Sequence, residues 1–257
     1  MSAFADQVFL LARRSVVRTA RQPANVVFPL AFPMLLLAVN SGGLKAETRL
    51  PGFPTSSFVA FALAVPFMQG ALFATMNAGT DLARDIQTGF LSRLSLTPMR
   101  GIALLAGQLG GVVTMGVIQA AVYLSVGLAV GVRPAAGGLG VLVLFGFAVL
   151  VSLGFGALGT FAALRTGSGE AVQSIFPAFF VFLFISSMNI PRNLIGVTWF
   201  RDVATVNPVS YLIETVRSLI ITGWDGQALA LGFGIAAAIT VVALALSSWA
   251  LRVRMAR

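Results

Sequence analysis

The sequence contains no cysteine and no histidine. Without them there is no thiol nucleophile, no disulfide, no imidazole base and none of the usual zinc or haem ligands. Lysine is nearly absent as well. Lys45 is the single one, so the formal net charge of +9 is almost entirely arginine. Charge of either sign is scarce, at 10% of residues against roughly 25% in a soluble domain. The chain has no G-x-x-x-x-G-K-[ST] phosphate loop and no G-x-S-x-G elbow, so it cannot cradle ATP in that way or present a hydrolase serine. Nor is there a basic cluster on a soluble segment, which excludes nucleic acid as a partner.

What the sequence has in excess is apolar surface, with 58% hydrophobic residues. In water such a fold would expose a largely apolar surface; the chain reads as an integral membrane protein. Crossing the hydrocarbon core of ~30 Å takes about 20 apolar residues. Runs at about 24–40, 57–79, 102–130, 139–164, 171–190 and 227–250 predict six transmembrane helices in an all-α polytopic fold. Pro29 and Pro33 predict a kink in the first. No repeat between the halves supports an inverted-repeat transporter fold. Residues 2–22 hold four arginines with no apolar core before them, unlike a cleavable signal peptide. "GFGALG" at 154–159 lies inside an apolar run, where its glycines suit close helix packing rather than a nucleotide.

Orientation follows from the arginines. With the N-terminus inside, the inner segments hold eleven of the 17 basic residues and the outer segments six. Both termini are therefore expected in the cytoplasm of a cell whose inner membrane holds the protein. On a helical wheel, Phe4, Val8, Phe9, Leu11, Ala12 and Val16 share one half of the N-terminal segment 1–22, while Arg13, Arg14, Arg18 and Arg21 fall on the other. This predicts an interfacial amphipathic helix, its apolar face in lipid and its arginines among anionic headgroups.

The spans are free of charge through their middles, whereas ion-coupled carriers place ionisable groups at membrane depth. Neutral polar residues remain. Interhelical hydrogen bonding is the ordinary role for them, and Gln69, Asn77, Gln119, Ser186 and Asn189 are the candidates for lining an amphiphilic pathway. A transporter built this way needs energy from elsewhere.

Two segments carry more pattern than a loop needs. At "ARDIQTGFLSRLSLTPMRG" (83–101), Arg84 and Asp85 share a helical face with the preceding Asp81 at the inner end of the second span. Gly89 can end that helix. Phe90, Leu91 and Leu94 then oppose Ser92, Arg93 and Ser95 in a short two-faced helix that Thr97-Pro98 stops. Its apolar edge could rest on lipid or dock in a groove on a cytoplasmic partner. In 190–226, "NIPRN" and "TVNPVS" mark turns, and "YLIETVRSLIITGW" puts Leu212, Val216, Leu219 and Ile220 on one face. Glu214 and Arg217, three apart, could pair on the other. Trp199, Tyr211 and Trp224 suit headgroup depth. These are read as short helices dipping into the outer leaflet.

With its N-terminal helix, "DIQTGFLSRLSLTPMRGIALLAGQL" and "VNPVSYLIETVRSLI", the chain resembles the membrane permeases of ABC type-2 transporters, particularly the daunorubicin-resistance type. Asp85, Gly89, Leu91, Arg93, Leu94, Thr97 and Pro98 fill one family pattern. Asn207, Pro208, Tyr211, Glu214 and Arg217 fill another. The resemblance implies that 81–98 is a coupling helix region docking, through Arg84, Asp85, Gly89, Phe90, Leu91, Arg93, Leu94, Thr97 and Pro98, on a separate ATP-binding subunit. It implies two copies of that subunit, holding ATP and Mg, and a homodimer of this chain. It also implies re-entrant outer helices over 190–226 and outward movement of a drug, lipid or lipid-linked glycan. All of 1–257 is then one permease domain with no catalytic site of its own. The outer loop 41–56 is short, so the large external domains of some relatives are missing. The competing readings are an ion-coupled carrier and a membrane-embedded lipid-modifying enzyme using Glu214.

Overall fold

The computed structural model describes residues 2–95 and 101–255, and every regular element among them is helical. In chain order these are α1 (Ser2–Ala20), α2 (Pro23–Gly43), α3 (Phe58–Ala62), α4 (Ala64–Gln87), α5 (Phe90–Ser95) and α6 (Gly101–Ala129). They are followed by α7 (Gly137–Thr166), α8 (Gly169–Phe184), α9 (Thr198–Val206), α10 (Pro208–Arg217) and α11 (Gly226–Met255). Five helices are long and apolar enough to cross a membrane: α2, the rod Phe58–Gln87 formed by α3 and α4, α6, α7 and α11. The chain is thus a multi-pass membrane protein. The run expected to span at 171–190 overlaps the 16-residue α8, which rises only about 24 Å.

α4 is the central helix and is buried along almost its whole length. Its crossing with α7 depends on glycine: Gly159 lies directly against the Thr75 carbonyl, and a Cβ on Gly79 would stand 2.8 Å from the Gly159 oxygen. Residues with side chains could not approach so closely, and lipid supplies no hydrophobic drive that would substitute for this packing. Gly154 and Gly156 likewise abut Thr240 and Val112, so the glycine run serves helix contact.

α7 and α11 are parallel. Thr240 Oγ1 donates to the Leu150 carbonyl at 3.1 Å, Ser247 Oγ to Ala157 at 2.8 Å and Arg254 Nη1 to Leu164 at 2.6 Å. Each rung lies seven residues beyond the last on both helices, the repeat that keeps two helices in register. Because α7 and α11 run the same way, the segment between them, beginning with α8, must return the chain. Gly169 packs beside Thr80 and Ala83, and Phe176 meets Phe73 at 5.3 Å, so α8 runs antiparallel to α4.

α1 lies across α6. Leu11, Ala12 and Ser15 rest on Gly107, Gly110 and Gly111, and Ser15 Oγ donates to the Gln108 carbonyl at 3.1 Å. This corrects part of the expected lipid-facing half: Leu11 and Ala12 pack on α6 instead, while Phe9 of that half is exposed.

α10 continues into a π-helical turn over Ser218–Thr222. Such a turn leaves carbonyls free of the regular ladder, and those of Leu219 and Ile220 accept from the amides of Ala136 and Ala135 at 3.1 and 3.0 Å.

Candidate functional site

One end of the bundle carries Arg14, Arg18, Arg84, Arg93, Arg165, Arg252 and Arg254. Here α4 offers Asp81 and Asp85, one turn apart, and α1 offers Arg14 and Arg18, also one turn apart. The equal spacing lets the pairs meet rung to rung. Arg14 grips Asp85 with both terminal nitrogens, at 2.8 and 2.9 Å. Arg18 Nη1 reaches Asp85 at 2.8 Å and its Nε reaches Asp81 at 3.2 Å. Asp85 is only 5% exposed, so its charge requires these partners. The hydrogen bond to Asp85 holds the Arg14 guanidinium above its ordinary value, against the opposing effect of burial.

α5 follows at once. At the end of α4, Thr88 Oγ1 donates back to the Arg84 carbonyl at 2.9 Å. Gly89 then adopts φ +68°, a left-handed conformation that suits glycine, and its carbonyl receives the Arg93 amide at 3.1 Å. α5 buries Leu91 among Leu82, Leu104, Leu105, Leu164 and Leu251. Arg14 lies over the Phe90 ring at 3.9 Å. One guanidinium therefore touches α4 through Asp85 and α5 through Phe90.

Of the nine residues expected to meet a partner, Arg84 and Arg93 are exposed, and Gly89, Phe90 and Leu94 are half-buried. Asp85 and Leu91 are buried by this chain and fasten the element from within. Thr97 and Pro98 lie outside the described residues. Of the four arginines expected among headgroups, Arg13 and Arg21 are exposed, but Arg14 and Arg18 are occupied by Asp85 and Asp81. The matching spacings could have been read from the sequence; which helix faces which could not.

At the opposite end, Asn207 caps α10 by accepting the Val209 amide at 2.9 Å and donates to the Phe182 carbonyl at 2.6 Å, with Pro208 in the first turn. Tyr211 Oη donates to the Thr205 carbonyl at 2.8 Å. The Glu214–Arg217 pair that their spacing allows is not what forms. Glu214 binds Arg192 at 2.5 Å and accepts from Ser187 Oγ at 3.3 Å. Arg217 turns inward, where Nε, Nη1 and Nη2 donate to the carbonyls of Phe61, Ser187 and Met188. Burial of the whole face that carries Leu212, Val216 and Leu219 takes Arg217 with it, and three carbonyl dipoles replace water. Trp199 and Trp224 are exposed.

Gln69, Gln119 and Ser186 are buried, and Asn77 and Asn189 half-buried, within this one chain. Ser186 Oγ donates to the Leu183 carbonyl at 2.5 Å. Asn77 and the unforeseen Tyr123 donate to backbone carbonyls of α2.

The chain is similar to known proteins along most of its length. Residues 6–221 match the family model described as ABC-2 type transporter. A daunorubicin resistance ABC transporter permease protein of Streptomyces coeruleorubidus is 31% identical over 203 residues, which is 76% of this chain and 66% of the relative. The match therefore spans just under two thirds of that relative's length. A protein of the alga Cyanophora paradoxa named as a transport permease is 24% identical over 221 residues, 84% of this chain and 74% of the relative.

Proposed function

We propose that this chain, which belongs to the ABC-2 type transporter family and is thus a transmembrane transport subunit, forms the membrane half of an ATP-driven exporter. It works as a homodimer with two copies of a cytoplasmic ATP-binding subunit, which hold ATP and Mg. The observation that carries this reading is the Arg14 contact with both Asp85 and Phe90. It makes α1, α4 and α5 one mechanical unit with Arg84, Ser92 and Arg93 on its open side. A partner pushing on α5 moves the central helix directly.

In this reading 81–98 is the coupling region, 1–22 the interfacial helix and 1–257 a single permease domain in the inner membrane, with both termini cytoplasmic. α8 and the turns after it make the sixth crossing. Two features support that. Gly169 lies level with Ala83, while Ser187 and Met188 share Arg217 with the Phe61 carbonyl. From Phe61 to Ala83 a helix rises about 33 Å, enough for a hydrocarbon core of ~30 Å. α9 and α10, with Asn207, Pro208, Tyr211, Glu214 and Arg217, are the re-entrant outer helices. The exposed apolar faces of α2 and α8, including Phe28, Leu35, Val181 and Phe184, suit a second copy of the chain and the surrounding lipid.

The substrate is amphiphilic, a drug, lipid or lipid-linked glycan carried outward by alternating access. Gln69, Asn77, Gln119, Ser186 and Asn189 become its polar lining when the helices part. Glu214 gives little to a lipid-modifying reading, since Arg192 and Ser187 already engage it. Asp81 and Asp85 give little to an ion-coupled carrier, since Arg14 and Arg18 neutralise them.

The test is co-purification with a phosphate-loop ATPase, followed by ATP-dependent transport in liposomes. Gly89→Pro, which φ +68° forbids, and Leu94→Asp should abolish both assembly and transport. Unchanged assembly and transport in the double variant would remove the coupling role.

A further inference from the structure

Pro29 and Pro33 lie inside α2, which continues helical from Pro23 to Gly43. A proline has no N–H, so the carbonyl four residues before it loses its helical donor. The two deprived carbonyls are those of Asn25 and Pro29. Each is met by a side chain of another helix. Asn77 Nδ2, on α4, donates to the Asn25 oxygen at 3.2 Å. Tyr123 Oη, on α6, donates to the Pro29 oxygen at 2.6 Å. Tyr123 is wholly buried, so its hydroxyl reaches α2 from inside the bundle.

The rest of α2 is thinly held. Its buried residues are Pro29, Pro33 and Leu37, a single stripe at four-residue spacing, while Val27, Phe28, Leu35 and Val39 are exposed. A ladder bond within a helix cannot be exchanged without unwinding it, whereas a side-chain donor releases its carbonyl by a small separation of two intact helices. Prolines at these positions convert two internal bonds into two ties between helices.

We propose that Tyr123 and Asn77 are positioning residues that hold α2 closed on α4 and α6, and that the carbonyls freed by Pro33 and Pro29 make this closure reversible, so that α2 is the helix that parts during transport. The functional clause rests on the transporter reading above; the tie itself does not. Parting α2 uncovers an uncharged polar patch. A Cβ on Gly70 would stand 2.7 Å from Gln119 Oε1 and 3.3 Å from Tyr123 Oη, so both side chains pack there. Gln69 Oε1 and Gln119 Nε2 have no hydrogen-bond partner among the described residues. The patch therefore offers a donor, an acceptor and a hydroxyl to a neutral hydrogen-bonding portion of an amphiphile.

The chain has no cysteine, so Leu37→Cys supplies the sole thiol, on the buried stripe of α2. The experiment measures its maleimide labelling rate in the purified full chain in nanodiscs. Tyr123→Phe keeps the ring and its contact with Phe67 but leaves the Pro29 carbonyl unpaired; it should speed labelling about tenfold. In a Pro33→Ala background residue 33 regains its N–H, the carbonyl is satisfied within α2, and Tyr123→Phe should then change the rate less than about twofold. Asn77→Ala with Pro29→Ala forms the matching second cycle, which decides the matter if either Tyr123 variant fails to fold. An equal effect of Tyr123→Phe in both backgrounds, or none in either, overturns the tie. Labelling in the reconstituted complex should also rise when ATP is added. If the cycles behave as stated and no ATP-dependent transport is found, the transporter reading falls and the tie stands; if transport proceeds with labelling unmoved by ATP, the role of α2 falls and the transporter reading stands.

Discussion

The guanidinium carbon of Arg217 sits over the ring of Phe61, 3.5 Å from its centroid, and Arg217 Nε donates to the carbonyl of that same residue at 3.1 Å. One planar cation thus takes both the face and the backbone of Phe61, and its remaining nitrogens collect Ser187 and Met188. It joins α3, the turn after α8 and the end of α10. Lysine cannot reproduce a flat fork with three separate directions. Arg217→Lys should therefore destabilise the folded chain by about 2–3 kcal/mol, read as a lowered thermal midpoint in detergent. Arg217→Lys melting like the parent would mean that the fork contributes nothing.

At the other end of the bundle, fastening and the proposed docking fall to different residues. Asp85 is buried under Arg14 and Arg18, whereas Arg93 is exposed. Asp85→Asn weakens the charge-assisted bonds that tie α1 to α4. The expected result is a complex that assembles in normal yield but moves less substrate per ATP hydrolysed. Arg93→Glu should do the reverse, reducing the yield of complex several-fold through like-charge or lost contacts at the partner surface. The same loss of yield from both variants would contradict the division.

Gly89 is predicted to matter through its backbone. At φ +68° with no heavy atom near its missing Cβ, an alanine there fits sterically in space but not in conformation, at a cost of about 1–2 kcal/mol. Gly89→Ala should shift α5 rather than unfold the bundle. Faster proteolysis at Arg93, with an unchanged thermal midpoint of the spans, is the signature to look for.

The sequence made five of the six apolar runs legible as long helices because a ~30 Å slab imposes its length on any helix that crosses it; the run at 171–190 holds only the shorter α8 and the turns after it. The break at Gly89, the two-faced α5 and the Asn207-Pro208 start of α10 were legible for a similar reason, since each is fixed by residues within one or two turns. What stayed hidden depends on which helices meet. Arg14 and Arg18 look like headgroup ligands until α4 is seen to present two carboxylates at the same spacing. Glu214 and Arg217 satisfy the three-residue rule for a pair, yet burial of α10 rotates Arg217 towards three carbonyls and leaves Glu214 to Arg192. The prolines of α2 announce a weakened helix, but nothing local says that Tyr123, some 90 residues on, takes up the carbonyl that Pro33 abandons.

The parallel seam between α7 and α11 gives the last prediction. Ser247 Oγ donates to the Ala157 carbonyl at 2.8 Å, in a position where the residue is 1% exposed. That carbonyl lies mid-helix, so removing the hydroxyl does not orphan it. Ser247→Ala should cost only about 0.6 kcal/mol, the average for such bonds between membrane helices. Ser247→Leu is different, because the close approach that the seam requires leaves no volume for it. The two helices must separate or shift along the seven-residue register, which Thr240 and Arg254 hold at the neighbouring rungs. Overpacking of this kind costs about 1–3 kcal/mol. The thermal midpoint should therefore fall several-fold further for Ser247→Leu than for Ser247→Ala. If the two variants melt alike, close packing does not hold the seam, and its stability rests on hydrogen bonds instead.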